Sequence, residues 1–316
     1  MAEGSKRVVL AALAGNVAIA VLKLGAWGFT RSSAMLTEGI HSLVDSGDQI
    51  LLLVGQARGA KPPDASHPLG YGMEIYFWSF IVALQVFLLG GAVSIYEGVL
   101  KLSHPATIER PWINFLVLGL SALFEGASFM AAYREFQRVV RRRPVRLLRF
   151  LQLSKDPNVF ATLLEDGAAM TGLAIAALGV TFSALLGWRW ADGAASILIG
   201  LLLVGVALFL GNEIRSLIAG EAAADPVTDQ VREVIKSDQR VVALDEVLSL
   251  HLGPDKIMFV ASVRFREDLS SRDLQEAARE LTAAIRKTDV RIERVFLQPA
   301  DVGLVAETPS APAPSH

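Results

Sequence analysis

Long apolar stretches dominate the first two thirds of the chain. Six of them are long enough to cross a membrane as helices: residues 8–29, 33–57, 75–102, 113–133, 160–186 and 191–210. Runs of about 18 or more apolar residues are typical of transmembrane helices. The pattern therefore predicts a membrane all-α domain of six transmembrane helices over residues 1–220.

The last two apolar runs are separated by little more than Gly187, Trp188, Arg189 and Trp190. So short a connection predicts a tight antiparallel hairpin, with the two indole rings at the membrane interface, where amphipathic rings prefer to lie. The first run lacks a small-residue cleavage site, and we therefore expect it to be a first span rather than a cleaved signal peptide.

Beyond residue 220 the pattern becomes that of a soluble α+β domain. A polar helix is predicted over 226–236, strands over 243–251 and 256–265, an amphipathic helix over 270–287 and a third strand over 291–298. The order αββαβ predicts a small, ferredoxin-like cytoplasmic domain over residues 221–301. The tail, residues 302–316, is rich in Pro, Ala and Ser, and we expect it to be disordered.

Basic residues are unevenly distributed between the predicted connections. They cluster before the first span, after the second and the sixth, and above all between spans four and five, where the sequence has Arg134, Arg138, Arg141, Arg142, Arg143, Arg146, Arg149 and Lys155. Because connections rich in Lys and Arg stay in the cytoplasm, both termini are predicted to be cytoplasmic. We expect a multi-pass integral protein of a bacterial inner membrane, with the Arg run facing anionic lipid or forming salt bridges.

Composition narrows the possible functions further. The chain is 52% hydrophobic, and its mean hydropathy is +0.43, which suits a membrane protein. A net charge of only −2 gives no reason to expect a nucleic-acid partner. There are no cysteines, so disulfides, thiolate metal sites and cysteine nucleophiles are all excluded.

Ionisable residues interrupt two of the predicted spans. His41 and Asp45 lie four residues apart in the second span and share one face of a helix, and Glu165 and Asp166 lie near the start of the fifth. Ionisable groups inside a bilayer are costly, and they are therefore candidates for a functional site. Two such places in one small membrane protein predict a polar path for a cation.

These features together resemble one transporter family. The resemblance is carried by SSAMLTEGIHSLVD at residues 32–45, by HPLGYG at residues 67–72, by the helix with Glu165 and Asp166, and by the αββαβ region. The chain is similar to the cation diffusion facilitators, a family of divalent metal/proton antiporters, and most of all to their zinc transporter 9 branch. The resemblance implies a homodimeric secondary transporter of Zn²⁺, or of Fe²⁺, Co²⁺ or Mn²⁺, which exchanges the metal for protons, is not an enzyme and needs no cofactor.

The resemblance also implies the metal ligands, with one departure. Family members usually take two ligands from span two and two from span five, each pair one helical turn apart. His41 and Asp45 fit this pattern, but Glu165 is followed four positions later by Ala169. We favour Asp166 as the ligand, with Glu165 as a second ligand or a proton acceptor. The alternative is that both acids cap a helix N-terminus near the cytoplasmic surface.

Other departures reduce the expected number of metal sites. Positions that often hold ligand histidines correspond here to Tyr71, Ala261, Leu274 and Leu297, so a metal-poor αββαβ domain is predicted. His67 can bind metal with Asp64 or stabilise a turn, and we favour the turn. For Asp48, Glu74 and Glu125, contact with the ion path and a structural role both remain open, whereas Asp192 is expected to be a helix N-cap.

Two other classes compete with a transporter. Asp45 and Asp166 could form the aspartyl pair of an intramembrane protease, but a GxGD-type context is absent and His41 would have no role. A membrane-anchored sensor could use the αββαβ domain to bind a partner, but an anchor does not need ionisable motifs inside spans two and five. We therefore favour the transporter.

Overall fold

The computed structural model describes residues 3–104, 110–142 and 157–299. They form two compact units, the first ending at Ala219 and the second beginning at Gly220. Residues 143–156, which hold part of the predicted basic connection, and the predicted disordered tail, 302–316, lie outside the described residues.

All the regular elements described in the first unit are helical. Its elements are α1 (Glu3–Thr30), α2 (Ser33–Gly59), α3 (Glu74–Gln85), a π-helical segment (Val86–Ala92), α4 (Val93–Ser103), α5 (Pro111–Arg142), α6 (Pro157–Leu185) and α7 (Ala191–Ile218). The chain from α3 to α4 is one continuous helical stretch. In the described residues, each predicted apolar run falls within one helical stretch, apart from Leu186 at the end of the fifth run.

Four of these stretches are long and apolar enough to cross a membrane: Leu13–Thr30, Glu74–Ser103, Leu163–Leu185 and Ala191–Ile218. A shorter apolar segment, Pro111–Ala127, forms the first half of α5. The unit is thus a helical membrane domain, as the sequence predicted, with four candidate spans and one shorter apolar helix.

Polarity is distributed inside out compared with a soluble protein. Lys23, Glu38 and His41 are at most 1% exposed, whereas large apolar side chains such as Leu123 (71%) and Leu178 (55%) face outward. In a bilayer this distribution is favourable, because lipid covers the apolar exterior while charged groups find partners inside the bundle.

Helix α2, whose sequence includes several ionisable residues, lies among the others. It packs against α1, α3, the π-helical segment, α4, α6 and α7. Its hydropathy alone does not qualify it as a span, because its sequence includes Thr37, Glu38, His41, Asp45 and Asp48. The surrounding helices shield these side chains from the outside, which explains how a polar helix fits in an apolar bundle.

A seam of glycines brings the stretch from α3 to α4 close to α7. A Cβ built on Gly98 would lie 2.7 Å from the carbonyl oxygen of Gly193, and one built on Gly200 would lie 2.8 Å from the oxygen of Gly91. The glycines are seven residues apart on both helices, which is about two turns. The two backbones touch where neither has a side chain, the usual means of close helix packing in membranes.

The connection between α6 and α7 is as tight as the sequence predicted. Gly187 takes a left-handed conformation with φ of +70°, which glycine adopts without strain. The rings of Trp188 and Trp190 stack with their centroids 5.7 Å apart, and α7 begins directly afterwards.

The second unit has the predicted αββαβ order. Its elements are α8 (Asp225–Ser237), β1 (Val241–Gly253), β2 (Lys256–Phe265), α9 (Ser271–Thr288) and β3 (Ile292–Pro299). The sheet order is β1-β2-β3, with β1 antiparallel and β3 parallel to β2. A parallel pair needs a long crossover, and α9 provides it.

Alternation along β2 builds the core of this unit. Ile257, Phe259, Ala261 and Val263 are buried and pack with apolar residues of α8 and α9. Helix α9 starts with a capping box, in which the Ser270 side chain accepts from the Asp273 backbone and the Asp273 side chain accepts from that of Ser270. The N-cap of this helix is therefore Ser270.

Candidate functional site

Helix α2 presents His41 and Asp45 on one face, as predicted. Nδ1 of His41 lies 3.2 Å from Oδ1 of Asp45, within ion-pair distance. The imidazole is 1% exposed. Its contact with Asp45 is not a hydrogen bond, and neither of its nitrogens has a hydrogen-bond partner among the described residues. A buried polar group without such a partner is costly, and it is therefore a candidate ligand or proton carrier.

The acidic pair of α6 meets Asp45 at one cavity. A cavity of about 70 Å³ lies inside the first unit, and Asp45, Glu165 and Asp166 all line it. Helix α6 is described from Pro157, which places Glu165 two turns inside it. The alternative in which the two acids cap a helix N-terminus is therefore wrong.

Three of the four predicted ligands thus share a cavity, and the fourth, His41, lies beside Asp45. The described side chains do not include a group of three or more His, Asp or Glu residues already converged at metal-binding distances. Metal ligation at the cavity would therefore require these side chains to move closer together.

A buried ion network, which was not predicted from the sequence, adjoins the cavity. Nζ of Lys23 in α1 lies 3.0 Å from Oε2 of Glu38 and 2.7 Å from Oε1 of Glu125. It also donates to Oγ of Ser42 at 2.8 Å. The signal was present in the sequence, because Lys23 interrupts an apolar run and a lone lysine there requires a partner.

Glu125 connects this network to the cavity. It belongs to α5, lines the cavity together with Ser42, and its side chain is 13% exposed. Its Oε2 atom is buried and has no hydrogen-bond partner within the described part of the chain. The structure thus resolves the question left open for Glu125 in favour of a position on the cavity.

Negative charge dominates the cavity wall. When ionised, Asp45, Glu125, Glu165 and Asp166 contribute four negative charges, and Lys23 bonds to one of them, Glu125. Such a surplus attracts cations, most strongly where low-dielectric walls surround it. Carboxylate oxygens with one nearby imidazole are donors that suit divalent transition metals.

Asp48 lies one turn beyond Asp45 and is fully buried. Neither of its carboxylate oxygens has a hydrogen-bond partner among the described residues. It is not among the residues that line the cavity. Its burial away from the cavity lining favours a supporting position over direct contact with the ion.

The loop before α3 contains a stabilised turn. Oδ1 of Asp64 accepts from the backbone of Ser66 and His67, and Oδ2 accepts from the hydroxyl of Tyr71 at 2.7 Å. The Tyr71 hydrogen bond, with help from the backbone, lowers the pKa of Asp64. This matches the turn role predicted for His67 and Asp64.

Asp192 is buried near the start of α7, but it caps a different helix from the one predicted. Its carboxylate accepts from the backbone of Ser33 and Ala34 and from the hydroxyls of Ser32 and Ser33. These groups belong to the start of α2, whose first backbone N–H groups need acceptors. Asp192 therefore caps the N-terminus of α2 and does not line the cavity.

Comparison with known proteins agrees with this architecture. Residues 9–218 match the family described as the cation efflux transmembrane domain. The human mitochondrial proton-coupled zinc antiporter SLC30A9 (Homo sapiens) is 31% identical over 94% of this chain and 53% of its own length. Metal tolerance protein C4 of Arabidopsis thaliana is 34% identical over 83% of this chain and 58% of its own.

A bacterial relative covers a larger share of its own length. The cation-efflux pump FieF of Escherichia coli is 25% identical over 80% of this chain and 78% of its own. The chain spans about half the length of the SLC30A9 relatives it matches. The family match covers about two thirds of the chain, and the resemblance drawn from the sequence is confirmed: the chain belongs to the cation efflux, or cation diffusion facilitator, family.

Proposed function

We propose that this protein is a secondary transporter that moves a divalent metal cation across a membrane in exchange for protons. The observation that carries the proposal is the meeting of Asp45, Glu165 and Asp166 at one buried cavity, with His41 beside Asp45. Relatives whose names specify zinc and proton coupling support Zn²⁺ as the cargo. Fe²⁺, Co²⁺ and Mn²⁺ remain alternative cargoes, because they also tolerate histidine with carboxylates.

The donor set suggests how metal and proton are coupled. Ligation requires a neutral imidazole and ionised carboxylates, so a metal ion that enters the cavity expels protons from them. Protons arriving from the opposite side of the membrane compete for the same atoms and release the metal. This competition needs no nucleotide and no resident cofactor.

We assign different roles to the two acids of α6. Asp166 is proposed as a direct ligand, together with His41 and Asp45. Glu165 is proposed as a second ligand or a proton acceptor, since one of its oxygens is buried without a hydrogen-bond partner in the described structure. All four side chains lie on α2 and α6, which pack against each other.

We also propose how the chain crosses the membrane and which side its termini occupy. The polar helix α2 would cross the membrane inside a shell of apolar helices, and with α5 it would bring the number of spans to six in residues 1–220. The distribution of Lys and Arg supports cytoplasmic termini and a cytoplasmic αββαβ domain over residues 221–301. By family resemblance, two copies would form a homodimer in contact with lipid.

The competing functions fit less well. A protease would belong to another family, whereas this chain matches a family of cation transporters. A membrane anchor for a sensor domain would not need a cavity lined by four carboxylates. Both observations favour transport.

Zinc uptake by the purified protein in lipid vesicles tests the proposal. Under an imposed pH gradient, His41→Ala and Asp45→Ala should each reduce uptake to the level of protein-free vesicles, because each removes a ligand. Glu74→Gln is the matched control, because Glu74 accepts from the indole of Trp78 and does not line the cavity. Wild-type uptake by the Asp45→Ala protein would contradict the proposal.

A further inference from the structure

We infer that Glu125 of α5 is an additional cation-binding residue of the cavity, and that the buried ammonium of Lys23 positions it there. The inference rests on the proposed transport function. It adds a third helix to a site that the sequence motifs place on α2 and α6 alone.

The first support is the position of Glu125. It lines the same cavity as Asp45, Glu165 and Asp166. One of its oxygens bonds to Lys23, while the other, Oε2, is buried and has no hydrogen-bond partner among the described residues. A carboxylate with one oxygen anchored and the other unpartnered can coordinate a cation without leaving its anchor.

The second support is how completely Lys23 is held. An ammonium group has three donors, and Lys23 uses them on Glu38, Glu125 and Ser42 at 3.0, 2.7 and 2.8 Å. Its side chain is 0% exposed. Because these partners lie on α2 and α5, the ammonium fixes Glu125 relative to the helix that presents His41 and Asp45.

The third support is the charge balance. A lone buried ammonium would repel a divalent cation nearby. Here one positive and two negative groups form the network, so its net charge is −1 when all are ionised. The charge of Glu38 offsets that of Lys23. The remaining negative charge is that of Glu125, at the cavity wall.

A purely structural role is the competing explanation. A buried ion pair can join three helices without touching the cargo, and breaking it would then reduce stability only. The two explanations differ in the affinity for the metal, which a structural role would not change once the protein is folded.

The test is a calorimetric titration of the whole purified chain with Zn²⁺ alone. Glu125→Gln should weaken Zn²⁺ binding about tenfold or more, within the 10- to 100-fold range for losing groups that support a metal site. Glu74→Gln is the control and should bind Zn²⁺ like the wild type. An unchanged dissociation constant in Glu125→Gln would overturn the inference.

Two variants test the positioning role of Lys23. Lys23→Arg keeps the positive charge and should retain the affinity. The double variant Lys23→Met/Glu38→Gln removes a neutral pair and leaves Glu125 charged but unanchored, so it should weaken Zn²⁺ binding about as much as Glu125→Gln. If the double variant unfolds at a lower temperature but binds Zn²⁺ normally or more tightly, Lys23 does not position Glu125.

Further variants keep the test decisive. If Glu125→Gln does not fold, Glu125→Asp replaces it, because it keeps the charge but draws the carboxylate back by one methylene group from its present position. Wild-type affinity in Glu125→Asp would again overturn the inference. Asp45→Ala separates this inference from the proposed function. Loss of binding in Asp45→Ala but not in the Glu125 variants refutes only the inference, whereas normal binding in both refutes the site itself.

Discussion

The glycine seam between α4 and α7 allows a prediction whose magnitude follows from the coordinates. A Cβ added by Gly98→Ala would lie 2.6 Å from Cγ1 of Ile197, 2.7 Å from the oxygen of Gly193 and 2.9 Å from the backbone nitrogen of Ile197. Carbon atoms pack best at about 3.5–4.0 Å. The Ile197 side chain can rotate, but the two backbone atoms can move only if the helices separate.

The expected cost combines two opposing effects. Overpacking a tight interface costs roughly 1–3 kcal/mol, and alanine recovers about 1 kcal/mol through its higher helix propensity. Because two of the three close contacts are with backbone, we expect Gly98→Ala to lower the free energy of unfolding by about 1–2 kcal/mol. For a domain of this size, each kcal/mol corresponds to roughly 2–4 °C in Tm.

Gly205→Ala is the matched control, because Gly205 lies in α7 and a Cβ there would have no atom within 4 Å. It should leave Tm unchanged or raise it. The assay is thermal unfolding of both variants in the same detergent, with tryptophan fluorescence as the readout. A Tm for Gly98→Ala equal to or above that of Gly205→Ala would refute the close approach of the two helices.

Three further predictions concern the cavity and the second unit. Asp166→Asn should abolish zinc uptake, whereas Glu165→Gln should weaken it and shift its pH dependence; normal uptake by both would remove α6 from the site. Calorimetry on residues 220–299 should detect no tight zinc binding, and a stoichiometric sub-micromolar event would refute a metal-poor domain. Hydrogen bonds from Arg240 lower the pKa of Asp238, so its contribution to stability is present above about pH 4 and is lost as the pH falls through the lowered value. Asp238→Asn should therefore reduce the acid sensitivity of unfolding in this unit, measured by circular dichroism, and an unchanged pH profile would contradict that role.

Periodicity within single elements explains what the sequence predicted well. The apolar runs located the helices, alternation located the strands, and the four-residue spacing placed His41 and Asp45 on one face. Most of the predicted helices and strands have boundaries that differ from the observed ones by a few residues. The reason is that caps such as Ser270 depend on local hydrogen bonds. These features are encoded over short distances along the chain.

Contacts between distant segments explain what was missed. Lys23 and Glu125 are separated by 102 positions, and nothing in the pattern of either helix indicates that they meet. Asp192 was assigned to its own helix, but its carboxylate accepts from residues about 160 positions away. Such pairings depend on how the helices pack, which a single sequence does not specify.

Simultaneous measurement of zinc and proton fluxes tests the central claim most directly. The purified protein is placed in sealed vesicles that contain a zinc-sensitive dye and a pH-sensitive dye, and zinc is added outside. We expect zinc entry to be accompanied by proton exit, with both fluxes lost in Asp45→Ala and kept in Glu74→Gln. Zinc entry without proton movement, or wild-type fluxes in Asp45→Ala, would contradict metal/proton exchange at this cavity.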